Sequence, residues 1–377
     1  MATFETSLKS RLIYVFAIPD EWHKDCLKVG ETTLEEDDGN FPLPNSEVLN
    51  KAACDRIDQY TKTAGIAYNL LHTEMTVFFK GGTISSFNDK QVHSVLERSG
   101  VKKKTFDTVK GANEWFCCDL ETVKKAIHAV KNGRNSLNAS DISYTQTPII
   151  FRPEQQAAID KTKKQFKKGA QMLWNAKMRF GKTLCALRVA RDLEMRRTII
   201  LTHRPVVDES WFEDFGKIFY DRTDYHYGSR TKGEDFTSLE RLAKKGDRYV
   251  YFASMQDMRG AQLVGGKFDK NNEVFSTDWD FLIVDEAHEG TRTELGESVI
   301  KELTKANTKV LKLSGTPFNL LDDYTEEETY TWDYTMEQRA KTEWDLLHMG
   351  DPNPYASLPA INIYTYDLGA LMNDYSE

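Results

Sequence analysis

One short run of residues could bind a phosphate group. The run Ala176-Lys-Met-Arg-Phe-Gly181-Lys182-Thr183 follows an apolar segment and opens a helical pattern. In that setting the N–H groups of the loop and the N-terminus of the helix can point at phosphate oxygens. Lys182 can reach the terminal phosphates, and the Thr183 hydroxyl can bind Mg²⁺. The run predicts a nucleotide site, with a plain structural loop as the alternative, because Ala176 replaces the glycine that usually opens such a run.

A pair of adjacent carboxylates follows another apolar run. Phe281–Val284 is succeeded by Asp285, Glu286, an alanine and His288. Asp285 can hold Mg²⁺, and Glu286 can orient and deprotonate a water molecule that attacks phosphorus. His288 is placed to link the nucleotide state to the rest of the chain. The alternative is an exposed acidic turn, but together with the phosphate-binding run the pair predicts a site for ATP and Mg²⁺ in which Lys182 and Glu286 are catalytic.

The elements that would position these side chains alternate along the chain. Apolar and β-branched runs predict strands at Gln171–Asn175, Arg197–Thr202, Arg248–Ala253, Trp279–Val284 and Val310–Leu313, and a helical pattern covers Leu184–Glu194. Strands that alternate with helices indicate a parallel sheet with right-handed crossovers. Such sheets bind ligands at the carboxyl ends of their strands, where both motifs fall. The predicted fold class is α/β.

The order of these motifs resembles the DEAD/DEAH-box helicases of superfamily 2, in particular their first RecA-like lobe in restriction-type proteins. The resemblance covers residues 148–320. It implies a RecA-like parallel sheet with helices on both faces. Further motifs match in the family's order. The resemblance implies that Gln155, beside Arg152, recognises adenine, and that Ser314 and Thr316 couple hydrolysis to movement. It also implies contacts with the nucleic-acid backbone by Thr202, His203, Arg204, Ser254 and Gln256.

A helicase of this superfamily closes two RecA-like lobes on ATP, and the second lobe supplies an arginine finger. The 377-residue chain ends too soon after Thr316 to hold another lobe. We therefore expect a truncated N-terminal portion, with residues 321–377 as a connector toward a missing second lobe. Within that connector, Thr329–Glu343 is predicted to be helical and Leu358–Leu368 to be a strand.

The N-terminal part carries a second set of candidate residues. These are Tyr14 in an apolar run, Lys28 in Lys-Val-Gly, Arg56 on a predicted helix, Asp89 and His93 four residues apart, and Glu114 before Trp115-Phe116. The pattern resembles the phage and fungal branch of the GIY-YIG nuclease superfamily. It implies a small α+β nuclease domain over residues 1–131, joined to the helicase lobe by an Asn- and Ser-rich linker at 132–147.

The resemblance also implies a mechanism for the N-terminal domain. Tyr14 would act as general base toward water, and Lys28, in place of the family's second tyrosine, would polarise that water or the phosphate. Arg56 would neutralise the scissile phosphate, and Asp89 or Glu114 would hold Mg²⁺ or Mn²⁺. As i and i+4 residues of one helix, Asp89 and His93 would share a face, so His93 would also line the site. The alternatives are a packed strand tyrosine at Tyr14, a surface arginine at Arg56 and a core histidine at His93.

The composition excludes some classes of protein. No apolar stretch reaches the ~18 residues of a membrane span, and no secretory signal opens the chain. The five cysteines form no Cys-x-x-Cys pair, which favours a reduced cytoplasmic protein without a disulfide framework or zinc finger. The net charge of −8 argues against a protein that coats nucleic acid by bulk charge, but does not exclude a motor with a local groove.

The resulting hypothesis is an ATP-dependent DNA translocase or helicase coupled to a metal-dependent endonuclease, in restriction or phage defence. Its partners would be DNA, a second RecA-like lobe, and specificity or methylase modules. Two alternatives stay open. One is a translocase whose N-terminal domain only grips DNA, and the other is a nucleotide-switched scaffold without a nucleic-acid partner.

Overall fold

The N-terminal unit is a small α+β domain. A computed structural model describes residues 10–34, 42–80, 83–106, 114–141, 149–288, 294–317 and 320–358. Four strands form an antiparallel sheet in the order β3-β1-β2-β6, and a separate hairpin joins β4 to β5. The elements of this unit are β1 (Arg11–Ala17), β2 (Leu27–Thr33), α1 (Glu47–Thr61), β3 (Asn69–Met75), β4 (Val77–Lys80), β5 (Thr83–Ser86), α2 (Asp89–Arg98), β6 (Trp115–Phe116) and α3 (Leu120–Lys131).

The two faces of this sheet pack against different helices. Side chains alternate along a strand, so Ile13 and Val15 of β1 lie in the core shared with α2 and α3. Leu12 and Tyr14 point the other way, into a second core that is closed by α1. Groups carried by α1 and by α2 are therefore separated by the sheet.

The second unit is built on seven parallel strands in the order β13-β7-β12-β11-β8-β10-β9. Its strands are β7 (Gln171–Ala176), β8 (Arg197–Thr202), β9 (Tyr225–Gly228), β10 (Arg248–Ser254), β11 (Phe281–Asp285), β12 (Lys309–Ser314) and β13 (Thr329–Trp332). Its helices are α4 (Pro153–Gln165), α5 (Lys182–Asp192), α6 (Asp208–Phe219), α7 (Phe236–Ala243), α8 (Met255–Arg259), α9 (Asn272–Ser276), α10 (Glu294–Leu303) and α11 (Tyr334–Leu347).

Helices cover both faces of this sheet, which explains its apolar strands. One core holds α4, α5 and α6 against the sheet, and the other holds α7, α8 and α10. Because both faces are buried, β8 and β11 are almost continuous runs of buried apolar side chains rather than alternating ones. The predicted α/β fold class is confirmed, and so are the five predicted strands. Among the described helices, none has the length and apolarity that crossing a bilayer requires.

The segment after the last predicted strand differs from the sequence-based expectation. The predicted helix over Thr329–Glu343 is a strand followed by a helix. β13 pairs with β7, Trp332 opposite Ala176, and extends the sheet past the expected boundary at residue 320. Its β-branched and aromatic residues suit a strand, and the Asp333 side chain then caps α11 by accepting from the Met336 N–H at 2.8 Å. The predicted strand Leu358–Leu368 lies, except for Leu358, outside the described residues.

The predicted linker at 132–147 packs against the second unit over its described part, which ends at residue 141. Glu234 is 1 % exposed and accepts from the backbone N–H groups of Asn135 at 2.8 Å and Ser136 at 3.1 Å. Leu137 and Ala139 are buried. The described part of this predicted linker is therefore packed, because its backbone N–H groups satisfy the buried Glu234 carboxylate.

A single arginine joins α2 to the loop that follows β9. Arg98 donates to the carbonyl oxygens of Gly233 at 2.7 Å, Ser229 at 3.0 Å and Arg230 at 3.1 Å, and the Gly233 N–H donates to the Arg98 carbonyl at 2.8 Å. On its other side the loop is held by buried Asp208, which accepts from the Ser229 hydroxyl at 2.6 Å. The two units are thus docked through a defined contact.

We expect Arg98→Ala to loosen this docking without unfolding either unit. Losing charge-assisted bonds to several carbonyls costs about 1–3 kcal/mol. Hydrogen exchange of the amides in residues 229–234 should therefore become faster. Lys124→Ala, on the solvent side of α3 in the same domain, is the matched control. Unchanged exchange in Arg98→Ala would show that the arginine does not hold the two units together.

Candidate functional site

The phosphate-binding run lies between the end of β7 and the start of α5. Gly181 adopts φ = 90° and Arg179 φ = 64°, which turns successive N–H groups of the loop toward the helix N-terminus. A Cβ atom on Gly181 would lie 2.6 Å from Nε2 of Gln155, so a side chain at this position would displace Gln155. The strand, loop and helix expected for a phosphate site are therefore present, and Ala176 opens the loop as a buried residue.

Lys182 lies at the first position of α5 with its ammonium group inside the loop. Its Nζ donates to the carbonyl oxygens of Ala176 at 2.7 Å and Lys177 at 3.3 Å. Burial lowers the pKa of Lys182, and the nearby carboxylates of Glu286 and Asp285 act in the opposite direction. The Lys182 ammonium group thus lies inside the loop, where the charges of both carboxylates act on it.

The two carboxylates follow β11 on neighbouring residues. Trp211 Nε1 donates to Oδ2 of Asp285 at 3.3 Å, and the Glu286 N–H donates to Oδ1 of Asp285 at 3.0 Å. Burial raises the pKa of Asp285, and the adjacent charge of Glu286 raises it further. A buried carboxylate beside a second carboxylate is a suitable place for a divalent cation, so Asp285 together with the Thr183 hydroxyl fits Mg²⁺.

Glu286 and His288 are held in defined positions by the turn after β11. Glu286 has φ = 49°, a left-handed conformation that is unusual for a residue other than glycine. His288 Nδ1 lies 2.9 Å from the hydroxyl of Ser314 and 3.5 Å from a carboxylate oxygen of Glu286. The Ser314 hydroxyl also accepts from the Thr316 N–H at 3.1 Å. The structure thus brings the predicted coupling residues into contact with the carboxylate motif.

Gln155 lies against the phosphate-binding run. Its Nε2 donates to the Phe180 carbonyl at 2.7 Å, and its Oε1 accepts from the Arg152 N–H at 2.8 Å. Arg152 Nη2 donates to the same carbonyl at 3.0 Å. An amide side chain can make about four hydrogen bonds, so Gln155 keeps donor and acceptor capacity for an adenine edge while it braces the loop.

A buried ion pair between this run and α11 was missed from the sequence. Lys177 Nζ lies 2.5 Å from Oε1 of Glu337, which is fully buried. The Lys177 N–H donates to the Trp332 carbonyl at 3.0 Å. Because the Lys177 carbonyl also accepts a hydrogen bond from Lys182, α11 is linked through Lys177 to Lys182. The only sequence signal is one lysine in a loop and one glutamate on an otherwise exposed helix, some 160 residues apart.

Glu337→Ala should destabilise the second unit. The change leaves the Lys177 ammonium beside the Tyr334 ring without its carboxylate. We expect a loss of about 2–4 kcal/mol, below the ~3–5 kcal/mol of a fully buried broken pair, because the Lys177 side chain keeps 20 % exposure. Urea unfolding measures the loss, and Glu343→Ala on the exposed part of α11 is the control. Equal stabilities of the two variants would contradict the assignment.

The predicted backbone contacts lie on two neighbouring strand ends. Ser254 of β10 is paired with Thr202 of β8 in the parallel register, so the segments that follow both strands lie side by side. Thr202 is fully buried, and its hydroxyl accepts from the Arg204 N–H at 3.2 Å. It therefore shapes the turn rather than reaching a ligand, which is a correction to its predicted role. Gln256 is exposed, and Ser254 caps α8 by accepting from the Asp257 N–H at 3.1 Å.

Four of the N-terminal candidates converge on one face of the sheet. Lys28 Nζ lies 3.4 Å from a carboxylate oxygen of Glu114, and burial raises the pKa of Tyr14, while the nearby Arg56 lowers it. A fifth member, Tyr60 on α1, was missed: its hydroxyl lies 3.5 Å from that of Tyr14, and Lys28 Nζ lies 4.5 Å from its ring centre. A tyrosine at the end of a helical pattern gave no distinct signal.

Asp89 and His93 lie with α2 on the other side of the sheet. His93 is buried, its Nε2 is 2.8 Å from the Val29 carbonyl, and its ring lies against Phe116. It is therefore a core histidine and not a neighbour of Tyr14. Asp89 opens α2, where its N–H donates to Glu31 at 3.3 Å. Among the described residues, no three histidine, cysteine, aspartate or glutamate side chains are grouped so that they could hold a metal ion.

The second unit is similar to one protein family. Residues 148–319 match the family described as "Type III restriction enzyme, res subunit". The matched segment contains both the phosphate-binding run and the carboxylate motif.

A curated protein from Mycoplasma pneumoniae is similar to a longer part of this chain than the family match covers. It is named, provisionally, as the C-terminus of a type II restriction enzyme and methyltransferase, and it is 27 % identical over 265 residues, which cover 58 % of this chain and 36 % of that protein. The chain thus spans about a third of the length of this relative.

Three solved structures are similar to part of this chain. The Sulfolobus solfataricus SWI2/SNF2 ATPase core in complex with double-stranded DNA has 15 % identity and a TM-score of 0.35, over 49 % of this chain and 37 % of that one. The UvsW helicase of bacteriophage T4 has 13 % identity and a TM-score of 0.36, over 68 % and 99 %. A nuclease-deletion mutant of the Type ISP restriction-modification enzyme LlaGI, with a DNA substrate mimic, has 16 % identity and a TM-score of 0.33, over 54 % and 23 %. We draw no conclusion about function from likenesses this distant.

Proposed function

We propose that this chain binds and hydrolyses ATP to move along DNA as part of a restriction system. The observation that supports the proposal most is the contact of His288 with Ser314, which joins the carboxylate motif to the next strand of the sheet. A change at the nucleotide can therefore reach the strand end that contacts Thr316. A scaffold that merely bound a nucleotide would have no need of this connection.

The chemistry assigned to the helicase lobe follows from its own residues. Lys182 binds the terminal phosphates and the loop N–H groups orient them, while Glu286 orients a water molecule and accepts its proton. Mg²⁺, held through Asp285 and Thr183, would supply charge neutralisation on the phosphate oxygens. Gln155 recognises adenine. The backbone contacts to DNA are proposed for His203, Arg204, Ser254 and Gln256, whose segments flank one another at the edge of the sheet. Complete turnover is proposed to need an arginine from a second RecA-like lobe.

The first test is a DNA-dependent ATPase assay on the full chain. The proposal predicts nucleotide binding that requires Lys182, and a slow hydrolysis rate that rises when double-stranded DNA is added together with a second RecA-like lobe. Failure to bind any DNA at low salt, where phosphate contacts are strongest, would favour the nucleotide-switched scaffold.

A second activity, DNA cleavage by the N-terminal domain, is favoured by the cluster of Tyr14, Tyr60, Arg56, Lys28 and Glu114. We propose that Tyr14 removes a proton from the attacking water while Arg56 neutralises the scissile phosphate. Lys28, which contacts Glu114, would polarise the phosphate. Glu114 is the better placed metal ligand, since Asp89 lies with α2 on the opposite face. The divalent cation, Mg²⁺ or Mn²⁺, would stabilise the leaving oxygen.

Cleavage of plasmid DNA should increase with pH. Burial raises the pKa of Tyr14 above its ordinary value, so its phenolate fraction grows roughly tenfold per pH unit through the neutral range. Tyr14→Phe and Arg56→Ala should each reduce cleavage by about 10²-fold or more. Lys62→Ala, an exposed lysine just after α1, is the control. No cleavage by the wild-type protein would leave a domain that only grips DNA, and undiminished cleavage by both Tyr14→Phe and Arg56→Ala would remove the mechanism assigned to this cluster.

A further inference from the structure

Two thiols are in contact at the edge of the N-terminal sheet. The sulfur atoms of Cys26 and Cys117 are 3.0 Å apart, and both residues are free cysteines. β2 pairs with β6 so that Leu27 lies opposite Phe116, and the next residues outward along this register are Cys26 and Cys117. The two thiols are thus cross-strand neighbours although they are far apart in the sequence.

The backbone around the pair has the spacing that a disulfide needs. The Cys26 N–H donates to the His23 carbonyl and the Cys117 N–H to the Lys102 carbonyl, so neither N–H bonds the opposite cysteine. Antiparallel residues in such a non-hydrogen-bonded pair have Cα atoms ~4.5 Å apart. That separation falls within the ~4.4–6.8 Å found across disulfides. Closing the sulfurs to a bond of about 2.05 Å requires a movement of the order of 1 Å.

The two partners differ in their access to solvent. Cys117 is exposed, whereas Cys26 is 3 % exposed and burial beside the second thiol raises its pKa to about 12. An oxidant therefore meets Cys117 first. The neighbouring Cys118 lies on the opposite side of the strand, packed with Phe116 against the core closed by α2 and α3. Cys26 is consequently the thiol positioned to react with an oxidised Cys117.

We propose that Cys26 and Cys117 are a redox modification site that forms a reversible disulfide when the protein meets a hydroperoxide. The Cys117 sulfur takes one oxygen from the hydroperoxide to become a sulfenic acid, and an alcohol, or water from hydrogen peroxide, leaves. The Cys26 thiol then attacks the sulfenic sulfur, forms the S–S bond and releases water. Two electrons pass from the two sulfurs to the peroxide, and a dithiol reductant reverses the change.

The bond would strengthen the weakest pairing of this sheet. β6 consists of two residues, and within the described part of the chain its strand pairs with β2 are Leu27 with Phe116 and Lys28 with Trp115. The contact between Lys28 and Glu114 spans the same two strands. Oxidation therefore fixes the strand end that holds Glu114 beside Lys28, and the thiol state controls how firmly these charged groups are held.

Peptide mapping of the full chain tests the site directly. The chain is treated with hydrogen peroxide, its remaining thiols are alkylated, and an unreduced digest is examined by mass spectrometry. We expect a peptide pair joined through Cys26 and Cys117 as the main oxidised species, which disappears on treatment with dithiothreitol. Cys118→Ser and Cys54→Ser should retain the joined pair, while Cys26→Ser and Cys117→Ser should abolish it.

Two results would overturn the proposal. One is that Cys117 is oxidised to sulfinic acid while Cys26 in the same chains is still alkylated. This result would show that Cys26 does not attack the sulfenic acid of Cys117. The other is a cross-link through Cys118. Circular dichroism of each variant shows whether it is folded, and the oxidised wild-type chain should melt several degrees above the reduced one. Identical melting of the two forms would show that the bond, if made, does not strengthen the sheet. Neither readout depends on ATP hydrolysis or DNA cleavage.

Discussion

Lys182→Ala should weaken ATP binding by this chain by roughly 30- to 1,000-fold. That range corresponds to a loss of about 2–4 kcal/mol, as expected when charge-assisted bonds to phosphate oxygens are removed. The reason lies in the geometry, because Lys182 Nζ lies within the loop, 2.7 Å from the Ala176 carbonyl, and faces Asp285 and Glu286. Titration of a fluorescent ATP analogue, followed by competition with ATP, gives the dissociation constants.

The control for this experiment is another lysine of the same unit. Lys164 lies exposed on α4, outside the loop, and Lys164→Ala removes an equal charge. Its ATP affinity should remain within about twofold of the wild type. Equal affinity of the Lys182 variant and the wild type would contradict the assignment of this run as a phosphate-binding loop.

Glu286→Gln should separate ATP binding from ATP hydrolysis. The substitution keeps the size and the backbone of the residue but removes a proton acceptor, so hydrolysis should slow by about 10²- to 10⁴-fold while ATP binding stays near the wild-type value. The hydrogen bond from the Glu286 N–H to Asp285 does not involve the changed group and should persist. Release of phosphate in a single turnover, with double-stranded DNA present, measures the effect.

Two comparisons make the hydrolysis result decisive. Glu302→Gln changes an exposed glutamate on α10 and should leave both binding and hydrolysis unaltered. Addition of a second RecA-like lobe should raise the wild-type rate but not that of the Glu286 variant. Normal hydrolysis by Glu286→Gln would exclude this residue as the group that accepts the proton from water.

Local sequence patterns predicted the strand, loop and helix that carry the candidate nucleotide site. The phosphate-binding run and the carboxylate motif are each contiguous, and each lies at a strand end that the apolar pattern already indicates. Their meeting follows from a general property of parallel sheets, whose strands all end at one edge. The contact between His288 and Ser314 was not predicted, and it arises because β11 and β12 are neighbouring strands.

The N-terminal candidates were harder to assign because they depend on which face of the sheet each residue occupies. The i and i+4 spacing correctly placed Asp89 and His93 on one helix. It could not predict on which side of the sheet that helix packs. His93 contacts the Val29 carbonyl in the core, whereas Tyr14 points toward α1. Tyr60 was missed since only the packing of α1 brings its hydroxyl to Tyr14.

The sequence by itself determined the α/β class, most of the parallel strands, and the positions of the phosphate-binding run and the carboxylate motif, because strand burial, loop glycine and adjacent carboxylates are encoded within a few residues. Only the tertiary structure decided four further features. These are the place of β13 in the sheet, the burial of Glu337 against Lys177, the docking of Arg98 on the loop after β9, and the contact of Cys26 with Cys117. Each depends on partners some 90 to 160 residues apart, whose proximity is set by the packing of whole elements and leaves no local pattern.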